Sequence, residues 1–180
     1  NAAWLDEDDP IRGNESFDND SRALSRGNNF SLGIGLRLED FRNTQDASSA
    51  GIYRPATLVE NNLFYNNVGR AVVISSTNNV IVRHNTAWGN LRIRNTTNTA
   101  STFGTFSCQD TDGIRWINNI VVARGAPDLA VFDSRTTGTA WDYNIIWNGV
   151  VTITDGSISA LGANTYVADP RLIDPANGNF

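Results

Sequence analysis

Apolar and polar positions alternate along this chain in short runs, and the runs recur. Leu58, Val59, Leu63 and Phe64 are interleaved with Glu60, Asn61, Asn62, Asn66 and Asn67. The same phrase returns at residues 82–90, where Asn85 stands 23 positions after Asn62. It continues at residues 116–122 and 141–147, and residues 11–19 carry it 48 positions earlier, about two periods. Repetition at this spacing signals a repeat architecture, in which each unit buries its apolar face against the next. Between the phrases lie further strand patterns. Residues 32–41 alternate, with Leu32, Ile34, Leu36 and Leu38 on one side and Gly33, Gly35, Arg37 and Glu39 on the other. Residues 71–75, 80–82, 129–132 and 150–154 are short apolar runs. Polar turn signals bound them at residues 77–79, 126–128 and 136–138 and at Asp155-Gly156.

Strand, turn, strand, turn, strand makes one coil of 23–25 residues. Strands this short, with this repeat, pair in parallel with their equivalents one coil away instead of forming hairpins. The expectation is an all-β parallel β-helix, one domain over residues 1–180 with coils from about residue 11. The stretch from Asn85 to Asn119 is longer than a period, so the Thr-, Asn- and Ser-rich residues 91–113 are expected as an insertion on a turn. Residues 163–180, with two Asp-Pro breakers, are expected as a tail after the last coil.

Asn occurs 23 times in 180 residues, although it is depleted from helices and strands. Asn14, Asn62, Asn85, Asn119 and Asn144 occupy equivalent places in the phrase. Asn tolerates the left-handed backbone that a bend between strands requires, and its amide both donates and accepts. Stacked about 4.8 Å apart, such residues form a hydrogen-bonded ladder along the solenoid. These Asn are therefore scaffold and not catalytic candidates.

Composition narrows the function classes. A net charge of −5 and a pI near 4.7 argue against a nucleic-acid or anionic-membrane partner. No apolar run is long enough for a membrane-spanning helix. All 14 basic residues are Arg, so no Lys base or Schiff base is available. Cys108 is the one cysteine, which leaves no intrachain disulfide.

The phrases VENNLFYNN and VRHNTAWGN, with the tail ADPRLIDPANGNF, resemble the coil repeat and closing segment of the right-handed parallel β-helix family. That family contains pectate lyases and related secreted polysaccharide-active and surface proteins. The resemblance spans residues 11–180. It implies an extracellular or cell-surface location and, for lyases, an acidic polysaccharide substrate, a Lys or Arg base and often calcium. Here only Arg can serve as that base. Because the family begins with a capped end and continues beyond such a tail, the chain is expected to be a C-terminal portion of a longer β-helix. The fold alone hosts lyases, hydrolases, epimerases, adhesins and phage spikes, so it does not choose among them.

Candidate chemistry gathers around residues 108–115. Asp110 and Asp112 alternate before Gly113, a spacing that suits calcium and equally suits an ordinary turn. Asp112, Arg115 and His84, the only histidine, are the candidate catalytic residues. Arg83, Arg92 and Trp88 are candidate substrate contacts, Arg for a uronate carboxylate and Trp for a sugar face. Arg37 and Arg94 also sit on or beside strands. The competing readings are a solvated Arg on an outer strand face, an outward His at a turn, and Trp88, Trp116, Trp141 and Trp147 filling the coil interior. Asp6, Glu7, Asp8 and Asp9 form a second acidic cluster, a weak calcium candidate or a solvated loop. Asn29 and Asn95 head glycosylation-type triplets, as does Asn14 in the ladder.

Two functions follow. One is binding or lyase- or hydrolase-like degradation of an acidic polysaccharide in a groove walled by residues 91–113. The other is a structural or adhesive module without catalysis, which associates with itself through its coil ends into fibres.

Overall fold

The computed structural model of the chain describes residues 10–19, 33–45, 49, 51–92, 104–125, 129–156 and 161–180. Three strands make each coil. The first coil holds β1 (Ile11–Arg12), β2 (Glu15–Phe17) and β3 (Leu36–Glu39). The second holds β4 (Thr57–Glu60), β5 (Leu63–Tyr65) and β6 (Val72–Ser75), and the third β7 (Val80–Arg83), β8 (Thr86–Trp88) and β9 (Phe106–Gln109). The fourth holds β10 (Arg115–Ile117), β11 (Ile120–Val122) and β12 (Leu129–Thr136), and the fifth β13 (Ala140–Asp142), β14 (Ile145–Trp147) and β15 (Val150–Gly156). β16 (Tyr166–Val167) opens a sixth, and the tail carries a single 3₁₀ turn, Pro175–Asn177. Equivalent strands stack in parallel into three sheets: sheet 1 is β1-β4-β7-β10-β13, sheet 2 is β2-β5-β8-β11-β14-β16 and sheet 3 is β3-β6-β9-β12-β15. This is the expected parallel β-helix.

The core runs as columns inside the coils. Sheet 1 contributes Val59, Val82, Trp116 and Trp141 in register, and the two indoles stack at 4.4 Å. Sheet 2 contributes Ser16, Phe64, Ala87, Val121 and Ile146. Sheet 3 contributes Leu38, Ile74, Cys108, Asp133 and Ile153. Asp133 interrupts that column with a fully buried carboxylate, which accepts from Trp141 Nε1 at 2.7 Å and Thr136 Oγ1 at 2.6 Å. A buried polar group needs such partners. Burial, and then the neighbouring Asp133, push the Cys108 thiol well up, so it stays protonated and inert.

The Asn ladder is present as expected. The Nδ2 groups of Asn14, Asn62, Asn85 and Asn119 each donate to the Oδ1 of the next Asn, ending at Asn144, over 2.9–3.0 Å. Each backbone N–H of these four also donates to that same Oδ1. A second, shorter ladder joins Asn67 to Asn90 at 2.9 Å, with the backbone N–H of Asn19 donating to Asn67. One detail differs from the expectation. The left-handed residue at the bend is not the ladder Asn but the residue before it: Gly13, Asn61, His84, Asn118 and Tyr143, with φ between 54° and 65°. The ladder amide faces inward instead, where it satisfies the carbonyls the bend leaves unpaired, as Asn85 Nδ2 does for Val59 O and Arg83 O.

Three boundaries are corrected. Asn14 pairs directly with Asn62, so 48 residues are one coil carrying long excursions, not two periods. Residues 106–109, expected inside an insertion, are strand β9 in register with β6 and β12. Thr-, Ser- and Asn-rich flanks concealed its buried Phe106, Ser107 and Cys108. Asp155-Gly156, expected as a turn, closes strand β15, where parallel pairing with Ser134 and Thr136 overrides the local turn signal. Leu32 lies outside the described residues, and the alternating strand there is β3, Leu36–Glu39. The Trp residues divide. Trp116 and Trp141 are core, whereas Trp88 and Trp147 share an outward column of sheet 2 with Phe17, Tyr65 and Val122. The tail returns along that column, bringing the Phe180 ring to 5.2 Å from Tyr65 and 6.4 Å from Trp88.

Candidate functional site

The corners decide where chemistry has room. Sheet 1 passes to sheet 2 through two residues in every coil: Gly13-Asn14, Asn61-Asn62, His84-Asn85, Asn118-Asn119 and Tyr143-Asn144. The other two corners vary. Between sheets 2 and 3 the chain takes residues 18–35 and 89–105 in two coils but only 66–71 in another. Between sheets 3 and 1 it takes residues 40–56 in the first coil and only 76–79 in the second. All the extra chain therefore borders sheet 3.

The outer face of sheet 3 carries a recess of about 190 Å³ lined by Arg37, Arg70, Val73, Ser75, Ser107, Gln109 and Phe132, with Ile74 behind. Its register places Arg37, Val73, Ser107 and Phe132 side by side on four successive strands. Val73 and Ser107 are buried although they face outward, so they form a floor. Arg70 enters from the corner before β6, and its Nη1 lies 3.4 Å from Ser107 Oγ. Burial lowers the Arg70 guanidinium to about 10, with the like charge of Arg37 adding to the effect and Glu39 opposing it. It still carries its proton at neutral pH. Arg37 pairs with Glu39, which also accepts from Gln45 Nε2 at 3.3 Å. Two guanidiniums, a hydroxyl and an amide line one recess, groups able to donate to a carboxylate, and Glu39 at its margin already engages Arg37. No carboxylate lines this recess, so the pair that glycoside hydrolysis needs is not among its lining residues.

The residues singled out from sequence fall on different parts of the surface. Asp110 and Asp112 lie at the corner between sheets 3 and 1. Asp110, left-handed with φ 54°, accepts both Nε and Nη2 of Arg135 at 2.6 and 2.7 Å. That bidentate bond holds its carboxyl below the usual carboxylate range. Asp112 accepts from Thr137 Oγ1 at 2.7 Å. Among the described residues no three His, Cys, Asp or Glu side chains form a group that could hold a metal ion. Arg115 is exposed on sheet 1 beside Ile81 and Ala140. His84 and Arg83 lie at the far edge of sheet 1, roughly 20 Å from Asp112 at the ~3.3 Å rise of a strand residue. His84 is the exposed left-handed corner residue, 3.3 Å from Asn118 Nδ2, and Arg83 pairs with Glu60 at 2.7 Å. Trp88 lies on sheet 2 near Phe180, and Arg92 pairs with Asp18 at 3.0 Å. Asp110 and Asp112 share a corner but bond different partners, so the structure does not assemble the candidates into one site, and Arg37 lines the recess. The acidic cluster at residues 6–9, Asn29, Arg94 and Asn95 lie outside the described residues.

Arg70 is not singled out by sequence, because Val68-Gly69-Arg70 reads as a turn into the next strand. Its signal was a lone charge directly before the most apolar strand, where a guanidinium is drawn over the sheet face.

Comparison with protein families, with characterised proteins and with solved structures gave no match for this chain. The fold and the recess therefore carry the functional reading by themselves. No helix among the described residues is long and apolar enough to cross a membrane.

Proposed function

We propose that this chain is an extracellular or surface β-helix that binds an acidic polysaccharide in the sheet 3 recess, in the manner of the pectate-lyase-like family its repeat resembles. The observation that carries the reading is the convergence of Arg37 and Arg70 on a recess with a buried floor, in a chain of net charge −5. Acidic proteins do not collect anions by bulk attraction, so the local guanidiniums, Arg70 above all because Glu39 already pairs with Arg37, favour a carboxylate at that spot. Ser107 and Gln109 supply hydrogen bonds for ring hydroxyls, and Phe132 supplies an apolar surface for a sugar face. The test is titration calorimetry with polygalacturonate against a neutral glucan, repeated with Arg70→Gln. The acidic polymer binds, the neutral one does not, and Arg70→Gln weakens binding about tenfold. Equal affinity for both polymers overturns the reading. Ultraviolet absorbance in the same mixtures reports any unsaturated product, which separates a lyase from a binding module.

A second reading, assembly through the coil ends, is favoured by the apolar side chains exposed on the last coils. Tyr143, Trp147, Tyr166 and Val167 are 57%, 38%, 67% and 65% exposed. Sedimentation that shows only monomer at high concentration overturns it.

A further inference from the structure

The long excursion between β3 and β4 builds a second cleft. Residues 40–45 and 51–56 of this excursion fold back against the short corner of the next coil and are stapled to it. The N–H of Arg42 donates to Ser76 O at 3.0 Å, and Gln45 Nε2 donates to Ser76 Oγ at 2.9 Å. Asn78 Nδ2 and Asn79 Nδ2 donate to Tyr53 O and Arg54 O, both at 3.1 Å. Asp40 Oδ1 caps the turn by accepting the N–H groups of Thr44 and Gln45. Phe41 and Tyr53 close its base, rings 5.0 Å apart. The result is a cleft of about 310 Å³ between the excursion and the corner.

Its lining is chemically divided. Arg42 and Arg54 bring positive charge. Arg42 Nη1 is anchored on Asp110 O at 3.0 Å, while the exposed Arg54 guanidinium has no bonding partner among the described residues. Asp112 lies on the other side, one oxygen engaged by Thr137 and Oδ2 left open among the described residues. Ile52, 49% exposed, supplies an apolar patch. A simple polyanion is disfavoured by Asp112. A neutral ligand leaves two cations unanswered. A carboxylated sugar satisfies all three parts: its carboxylate meets Arg54 and Arg42, its hydroxyls donate to Asp112, and a C–H face rests on Ile52.

The cleft lies one corner on from the recess along the chain. Ser75 and Gln109 line the recess, and Asn78 and Asp112, three residues further along the same two coils, line the cleft. Three residues span at most roughly 10 Å even when fully extended. We infer that the cleft between the 40–56 excursion and Asp112 is a further subsite for an acidic sugar residue, occupied by polysaccharide that already engages Arg37 and Arg70. This rests on the reading of the sheet 3 recess given above.

Chain length separates the two claims. Titrations use galacturonate oligomers of two and six residues with the wild-type chain, Arg54→Gln, Asp112→Asn and Arg70→Gln. Arg54 is exposed with no bonding partner among the described residues, and Asp112→Asn keeps the acceptor for Thr137, so both variants are expected to fold; matching thermal midpoints verify this. The hexamer is expected to bind at least about tenfold tighter than the dimer. Arg54→Gln and Asp112→Asn remove that advantage and leave dimer affinity unchanged, whereas Arg70→Gln weakens both oligomers. Hexamer affinity that is indifferent to Arg54→Gln and Asp112→Asn overturns the subsite alone. No binding of either oligomer to the wild-type chain overturns the recess reading and the subsite with it.

Discussion

Two corners of the same coil behave in opposite ways. The corner between sheets 1 and 2 is two residues long in all five coils, a left-handed residue followed by an Asn that is buried in every coil but the first. The corner between sheets 3 and 1 ranges from residues 137–139 in one coil to residues 40–56 in another. The difference is one of hydrogen-bond satisfaction. At the first corner the bend is tight, and its carbonyls are met by an amide from inside, so any change of length breaks a ladder spanning every coil. At the other the backbone meets neighbouring corners and solvent, so the chain can wander outward and still return in register. A solenoid keeps its scaffold on the constant corner and grows its binding surfaces on the variable one.

The largest effect comes from forcing length onto the constant corner. One glycine inserted between His84 and Asn85 shifts β8 by a residue and turns Ala87 outward. Loss of the cooperative thermal transition is expected. One glycine inserted after Gly51, inside the long excursion, is expected to cost less than about 0.5 kcal/mol. Equal damage from the two insertions, measured by urea midpoints, removes the distinction.

Next is position along the ladder. Asn85 donates to Val59 O, Arg83 O and Asn119 Oδ1, and its Oδ1 accepts from Asn62. Asn85→Ala strands several buried groups, and destabilisation of about 3 kcal/mol is expected. Asn14 sits at the exposed end of the same ladder, so Asn14→Ala is expected to cost about 1 kcal/mol or less. Chemical denaturation of the two variants ranks them.

A smaller and opposite effect is expected at His84. With φ 54° and an exposed side chain, it adopts a conformation that glycine reaches without strain. His84→Gly is expected to leave stability unchanged or to raise it by up to about 1 kcal/mol, read as a shift in thermal midpoint. Marked destabilisation identifies a structural role for the imidazole beyond its contact with Asn118.

The repeat, the parallel stacking and the ladder were legible because each depends on residue type at fixed spacing. Asn62, Asn85, Asn119 and Asn144 announce themselves. The excursions were not legible: residues 18–35 and 40–56 lengthen one coil until it mimics two periods. Strand β9 was concealed for a related reason, since Ser107 and Gln109 make the outward half of a buried strand read as loop. The site residues were harder still. Arg37, Arg70 and Ser107 meet only because three coils stack, so their convergence has no local signature. Asp110 and Asp112 did carry a local pattern, but a left-handed φ at Asp110 ends the alternation that would aim both carboxylates one way.

The smallest effect probes the variable corner by pH. Asp40, Ser76, Asp110 and Arg135 all take left-handed backbone there, with φ from 49° to 62°, and Asp110 and Arg135 pair on adjacent coils. The Arg135 hydrogen bonds lower the Asp110 carboxyl in the folded chain, partly offset by desolvation. A depressed folded value contributes stability above the unfolded carboxylate value, near pH ~4, and that contribution is lost as pH falls through the folded value. Both side chains are largely solvated, at 52% and 42% exposure, so screening keeps the effect small. Arg135→Gln is therefore expected to flatten the acid limb of the stability curve below pH ~4 slightly and to leave the neutral plateau nearly unchanged. Added salt should mimic the variant. A variant whose acid limb matches the wild type at low salt shows that this corner tolerates variation even in its ion pair, which widens the contrast with the Asn corner.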